Sequence, residues 1–204
     1  MDLFESGFEE KYLKLAMDIN EKMIEIFYDE KNGGFFDVSG NDNSILIQTK
    51  EDYDSAEPAG NSIAIMNLLR LSQILKEDNY YLIAEKSLKY FSGNLSSNPH
   101  VSPQMLCALE FYLNSPKQII IAGNKDDDVF NNMVEAVNSL FLPDKVLICC
   151  ESKNPFKTIP YLNEIIKSPD LPDRQAGKTL VYICENFSCK LPVDNVEEFK
   201  KILS

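Results

Sequence analysis

The chain contains no tryptophan and a single histidine, His100, and none of its five cysteines stand in Cys-x-x-Cys spacing. A lone histidine excludes a metal site or an epimerase centre built from several imidazoles of this polypeptide, and in the loop Asn98-Pro99-His100 it reads as a solvated or capping side chain. Basic residues are scarce as well, 20 Lys+Arg against 32 Asp+Glu for a net charge of −12. That balance disfavours a nucleic-acid backbone or an anionic membrane as partner, because each requires a concentrated basic surface. No apolar run approaches the roughly 18 residues of a membrane span. Met1-Asp2-Leu3-Phe4-Glu5 has neither the basic flank nor the apolar core of a signal peptide, so the expected compartment is the cytoplasm. Five cysteines, an odd number with Cys149 and Cys150 adjacent, fit reduced thiols better than a secreted disulfide framework. Nucleophile-elbow and Walker-type phosphate motifs are missing, and Gly123-Asn124-Lys125-Asp126-Asp127-Asp128 lacks the second and third glycines of a dinucleotide fingerprint. Its three acids would repel a phosphate and read instead as cap and dipole residues at a helix start. As a divalent-metal site they would need further ligands from elsewhere.

What is present is enough for a core: 204 residues, 44% of them hydrophobic, make one large or two small domains without disulfide or metal staples. Residues 1–115 hold 9 Lys+Arg and 19 Asp+Glu, and residues 116–204 hold 11 and 13, so the acidic excess belongs almost wholly to the first part. The hydrophobic period changes at the same place. Phe8, Tyr12, Leu15, Ala16, Ile19, Met23, Ile26 and Phe27 recur at spacings of three and four, predicting an amphipathic helix over 7–28. Gly33-Gly34 then opens a short excursion in which Phe35-Phe36-Asp37-Val38 and Ile45-Leu46-Ile47 resemble a small hairpin.

A helix apolar on most sides is expected over 61–75 and a one-sided one over 79–93. A third runs from Ser102-Pro103 to about Leu113, with the serine as cap and the proline in the first turn. The heavily apolar 61–75 segment predicts that part of its surface faces another copy or another domain, so a homo-oligomer is expected. Beyond Pro116, Gln118-Ile119-Ile120-Ile121-Ala122-Gly123 and Lys145-Val146-Leu147-Ile148-Cys149-Cys150 are continuous apolar runs of the kind found in buried parallel strands. Between them Phe130, Met133, Val134, Val137, Leu140 and Phe141 form a crossover helix. A third strand is expected at 179–183 and a last helix over 195–203 behind Asp194, with Glu197 completing a capping-box variant. The expected architecture is mixed α+β: helical hairpins over 1–115, then a small parallel three-stranded αβ segment over 116–204.

Several segments occur in a familiar order. They are Asp29-Glu30-Lys31-Asn32-Gly33-Gly34-Phe35-Phe36-Asp37, Lys50 to Asp54, Glu57-Pro58-Ala59-Gly60-Asn61-Ser62 with Leu68-Leu69-Arg70-Leu71, Gln118 to Gly123, and Tyr182-Ile183-Cys184-Glu185-Asn186-Phe187-Ser188-Cys189 with Pro192. The set resembles the C-terminal part of the YyaL-like, thioredoxin-domain-containing family that includes spermatogenesis-associated relatives in animals, over nearly the whole chain. The resemblance implies helical hairpins belonging to an (α/α) toroid of the six-hairpin-glycosidase kind, with an αβ segment attached near its end. It implies that longer relatives carry an N-terminal thioredoxin-like domain; this chain shows neither such a segment nor Cys-x-x-Cys, so that domain's redox role does not carry over to it, and fold analogy alone assigns no activity.

Chemistry in such a toroid uses paired carboxylates, one as acid and one as base or nucleophile. The loops offer Asp37, Asp52, Asp54 and Glu57, with Asp37, Asp54 and Glu57 as the catalytic candidates. Lys50 can hold a carboxylate ionised, Asn61 can bind a hydroxyl, and Phe35, Phe36 or Tyr53 can stack on a sugar ring. Against this, Asp54 and Glu57 also read as ordinary helix-start acids, and Gly33-Gly34 as turn formers. Were the strands all parallel, Cys149, Cys150 and Cys184 would share one sheet end with Cys189 nearby. Four thiolates could then hold zinc, or Cys184 and Cys189 could cross-link, which needs Cα atoms within about 7 Å. The expectation is a structural or interaction module without a cofactor, paired with itself or with missing family domains. The alternative is a carbohydrate-active or carbohydrate-binding protein using the loop carboxylates.

Overall fold

A computed structural model describes residues 1–40, 47–114, 116–167, 178–185 and 188–203. The element order is α1 (Asp2–Gly7), α2 (Glu10–Phe27), α3 (Gly60–Leu75), α4 (Asp78–Ser97), a 3-10 turn (Pro99–Val101), α5 (Pro103–Leu113), β1 (Lys117–Gly123), α6 (Asp128–Asn138), β2 (Lys145–Glu151), α7 (Tyr161–Lys167), β3 (Leu180–Glu185), β4 (Ser188–Cys189) and α8 (Val196–Leu203). Contacts divide the chain into two compact units. One is residues 14–114 with Met1, and the other is residues 115–204 with residues 2–13.

In the helical unit, α3 packs against α4 and α5. Its apolar residues Ile65, Leu68, Leu69, Leu71 and Ile74 are buried, as are Ile83, Leu88 and Phe91 of α4 and Met105 and Phe111 of α5. Each such side chain contributes about 1.5–3 kcal/mol by leaving water. The apolar circumference of α3 is covered within the chain, with Ile63 its exception at 40% exposure. The helix ends at Lys76, whose left-handed conformation (φ 56°) closes the last turn onto the Ser72 carbonyl.

Two starts differ from the sequence reading. The segment expected as one helix over 7–28 is broken at Phe8, which adopts φ 51° and donates its N–H to the Phe4 carbonyl at 2.7 Å, so that residues 2–7 form a separate helix. Ser102 does not cap α5: its hydroxyl donates to the Asp52 carbonyl, and Asp54 Oδ2 accepts from the first-turn Gln104 N–H instead. Ile45 and Leu46 of the expected hairpin lie outside the described residues. The excursion is fixed by an isolated bridge between Tyr28 and Phe35 and by the Asp37 N–H donated to the Thr49 carbonyl.

The αβ unit corrects the expected all-parallel sheet. Its strand order is β2-β1-β3-β4; β1 and β2 are parallel, whereas β3 runs antiparallel to β1 and pairs with the short β4 as a hairpin. Continuous apolar runs report burial on both faces and not direction, which is why this was not legible from composition. Ile119, Ile121, Leu147, Val181 and Ile183 join Phe130, Met133 and Val137 of α6 and Phe199 and Leu203 of α8 in one core. At the head of α6 Asp127 accepts from the Val129 N–H, the capping role expected of the acidic turn. At α8 the cap is Asn195, which accepts from the Glu197 and Glu198 N–H groups, while Asp194 pairs with Lys178.

Candidate functional site

The loop residues singled out by sequence lie in the helical unit, and the local chain explains where each goes. Gly33 and Gly34 take φ 86° and 77°, a turn that a Cβ would disrupt; one on Gly33 would sit 2.6 Å from the Lys86 carbonyl oxygen. Asp29 organises this turn. Its Oδ1 accepts from the Lys31 and Asn32 N–H groups at 2.9 and 3.1 Å, and its Oδ2 accepts from Asn32 Nδ2 at 2.9 Å and Lys50 Nζ at 2.7 Å. Lys50 is almost wholly enclosed, 4% exposed, and also donates to the Gly33 carbonyl. Its ammonium stands 4.7 Å from the Phe36 ring centre and 4.0 Å from that of Tyr90.

Burial alone would raise the Asp29 carboxyl; the bonds from Lys50, Asn32 and the two backbone N–H groups outweigh it and hold the group well below the usual carboxylate range. Lys50 therefore does hold a carboxylate ionised, as expected, but that carboxylate is Asp29 and not one of the three nominated acids. The signal for Asp29 in the sequence was its place ahead of Asn32-Gly33-Gly34, where a short acid bonds the turn that follows it.

Asp37, Asp52, Asp54 and Asn61 are engaged by the protein's own groups. Both oxygens of Asp54 are used: Oδ1 accepts from the Ala59 N–H at 2.7 Å and the Ser62 hydroxyl at 3.1 Å, and Oδ2 from the Gln104 N–H at 2.7 Å. One carboxylate thus ties the start of α3 to the start of α5. Asp37 is exposed and accepts from the Thr49 hydroxyl and the Glu51 N–H. Asp52 accepts from Asn94 Nδ2 at 3.0 Å. Asn61, 2% exposed, exchanges both amide bonds with Phe35 N–H and C=O and donates again to the Glu51 carbonyl, so its capacity is filled by backbone. Glu57 and Tyr53 are exposed, Tyr53 at 55%. The Phe36 ring is the one nominated aromatic that reaches Lys50.

The cysteines are separated by the sheet. Because β3 is antiparallel, Cys184 pairs in register with Gln118 at the start of β1, whereas Cys150 pairs with Ala122 near its end. The four-thiolate zinc arrangement conditional on parallel strands is thereby corrected, and among the described residues no group of acidic, histidine or cysteine side chains is placed to hold a metal. The expectation of reduced thiols is corrected for two of the five cysteines: Cys184 and Cys189, close in register across the antiparallel β3–β4 pair, are joined by a disulfide with Cα atoms 3.9 Å apart. Cys107 is exposed as a free thiol, while Cys149 and Cys150 are buried; burial pushes both of these up, Cys150 to about 12, against the opposing charge of Lys125.

These features define a class: a two-unit α+β protein whose acidic loop is bonded into its own helical framework. Over its full length the chain is similar to spermatogenesis-associated protein 20 of Homo sapiens, 28% identical over 207 residues, and to the protein of the same name in Rattus norvegicus at the same identity, covering 25% of each. It is similar also to an uncharacterised protein of Caenorhabditis elegans, 25% identical over 205 residues and covering 27% of it. The chain spans about a quarter of the length of these curated relatives. No family model matches it.

Proposed function

We propose that this chain is the C-terminal structural and interaction region of a larger protein of the spermatogenesis-associated kind, its helical hairpins forming part of an (α/α) toroid and carrying no catalysis of their own. The observation that carries this reading is the use of both Asp54 oxygens to fasten α3 to α5, since a carboxylate with three internal donors has little capacity left for a substrate. The length of the relatives supports a role within a longer polypeptide. The cytoplasmic placement belongs to the same reading, as does a homo-oligomer. With α3 covered, the surface for association is α2, where Leu15 and Ile19 lie one turn apart at 50% and 58% exposure. Among the described residues no helix is long and apolar enough to cross a membrane.

Saturation-transfer NMR with a panel of mono- and oligosaccharides tests the reading against the carbohydrate alternative. No saturable signal is expected. Saturable binding that Glu57→Gln or Asp37→Asn removes without changing thermal stability would instead make the loop a sugar site. Light scattering at micromolar concentration tests the oligomer: a dimer that Leu15→Glu/Ile19→Glu converts to monomer is expected, and monomer throughout would remove that part of the proposal.

A further inference from the structure

The αβ unit holds a cavity of about 360 Å³ that the loop acids have no part in. It lies past the carboxyl ends of the parallel pair β1 and β2. Lys125 follows the end of β1 by two residues, Glu151 closes β2, and Phe156 and Lys157 belong to the segment after it. Ligands of open αβ sheets gather at this end, outside the strands' carboxyl termini. The volume is at the small end of the range for small-molecule sites, about 300–1,000 Å³.

Among the described residues, not all of the charges there find ionic partners. Lys11 pairs with Glu9 at the rim. Glu10 accepts from both the N–H and the hydroxyl of Thr158. Lys125, half-buried, donates to the Phe8 carbonyl at 3.1 Å, a neutral acceptor that uses one of its three N–H donors; among the described residues its ammonium makes no ion pair. Glu151 Oε1 accepts from the Lys125 N–H at 3.3 Å. Lys157 is exposed. Beyond the Lys11–Glu9 pair and Glu10, bonded to Thr158, the ionisable residues lining the cavity are Lys125, Lys157 and Glu151. Phe8, held at φ 51° with its ring in the core, presents the carbonyl that orients Lys125; Phe156 is fixed edge-on to Phe4 at 5.7 Å and forms an apolar wall.

We propose that this cavity binds a small organic anion of amino-acid or hydroxy-acid size, its carboxylate or phosphate received by Lys125 and Lys157 and a hydroxyl or amine at its other end donated to Glu151. The site is independent of the reading of the helical unit and stands or falls separately.

The test is a titration of the full chain followed by amide chemical shifts. L-serine, O-phospho-L-serine and inorganic phosphate are the probes, with glycerol as the neutral control. Saturable shifts centred on residues 125, 151 and 157 are expected with at least one anionic probe and not with glycerol. A response to L-serine assigns a carboxylate head, and a response confined to the two phosphates assigns a phosphoryl head. Lys125→Met and Lys157→Ala should each weaken binding by about tenfold, one charge-assisted bond's share. Glu151→Gln should weaken the amine-bearing probes and spare inorganic phosphate. Lys157 is exposed, so its variant reports even where Lys125→Met fails to fold. No saturable shift with any anion, or unchanged affinity in Lys157→Ala, would overturn the proposal.

Discussion

Lys50 and Asp29 form the most enclosed ion pair among the described residues, and their exposures of 4% and 11% set what its loss should do. Breaking such a pair leaves a desolvated charge behind, so Lys50→Met should cost about 3–5 kcal/mol in urea unfolding at neutral pH. The pH dependence follows from the direction of the Asp29 shift. Its folded value lies below the unfolded one, so protons favour the unfolded chain, and the stabilisation is present above about pH 4 and lost as pH falls further. In thermal melts from pH 7 to pH 2, the stability gap between the native chain and Asp29→Asn should narrow toward the acid end; a gap independent of pH would contradict the assignment. The thiols give a second expectation at this scale. Without reductant, mass spectrometry after alkylation of the folded protein should find Cys107 labelled, with Cys149 and Cys150 protected by burial and Cys184 and Cys189 by their disulfide. Added reductant should attack the exposed Cys189 sulfur, expelling Cys184 as the thiolate, and a second exchange then frees Cys189; once both are reduced, the exposed Cys189 should be alkylated faster than the buried Cys184.

Elements are held by turns and caps whose partners come from far along the chain. The Gly33-Gly34 turn packs under Lys86, and Lys86 itself donates to the Glu30 carbonyl. Gly33→Ala should cost at least about 2 kcal/mol in urea unfolding, from the left-handed backbone and from the clash with a carbonyl that cannot rotate away; a neutral result would mean the turn relaxes. Most of these elements were legible in the sequence, because helix period, Gly-Gly turns and apolar runs are local signals. α3, α4, α5 and the strands β1 and β2 fall where their patterns put them. What was not legible was pairing over distance. The direction of β3 leaves no trace in Leu180-Val181-Tyr182-Ile183, since strands buried on both faces look alike in either sense. The break at Phe8 was hidden because a phenylalanine at positive φ violates the usual preference for glycine there. Asp54, Asn61 and Lys50 were recognised as unusual loop residues, yet the same composition serves a sugar site or a set of internal clamps, and only their partners distinguish the two. Lys125 carries no separate signal in the sequence, because the acidic turn around it reads as an ordinary helix cap.

At the scale of the whole molecule, the acidic excess of residues 1–115 acquires a structural meaning. Asp29, Asp37, Asp52 and Asp54 each accept from donors contributed by other segments, so part of the −12 charge serves cohesion of the helical unit and not solvation. The αβ unit carries the cavity lined by Lys125, Glu151 and Lys157. The chain matches about a quarter of the length of its curated relatives, and within it the loop acids Asp29, Asp37, Asp52 and Asp54 act as fasteners. Thermal unfolding of Asp54→Ala beside Glu57→Ala, followed by far-UV circular dichroism, decides most directly between fasteners and a reaction centre. Loss of three bonds to Asp54 should lower the helical transition by about 5 °C or more, while the exposed Glu57 should change it by no more than about 1–2 °C. An Asp54→Ala protein that melts with the native chain would contradict the structural role assigned to the loop.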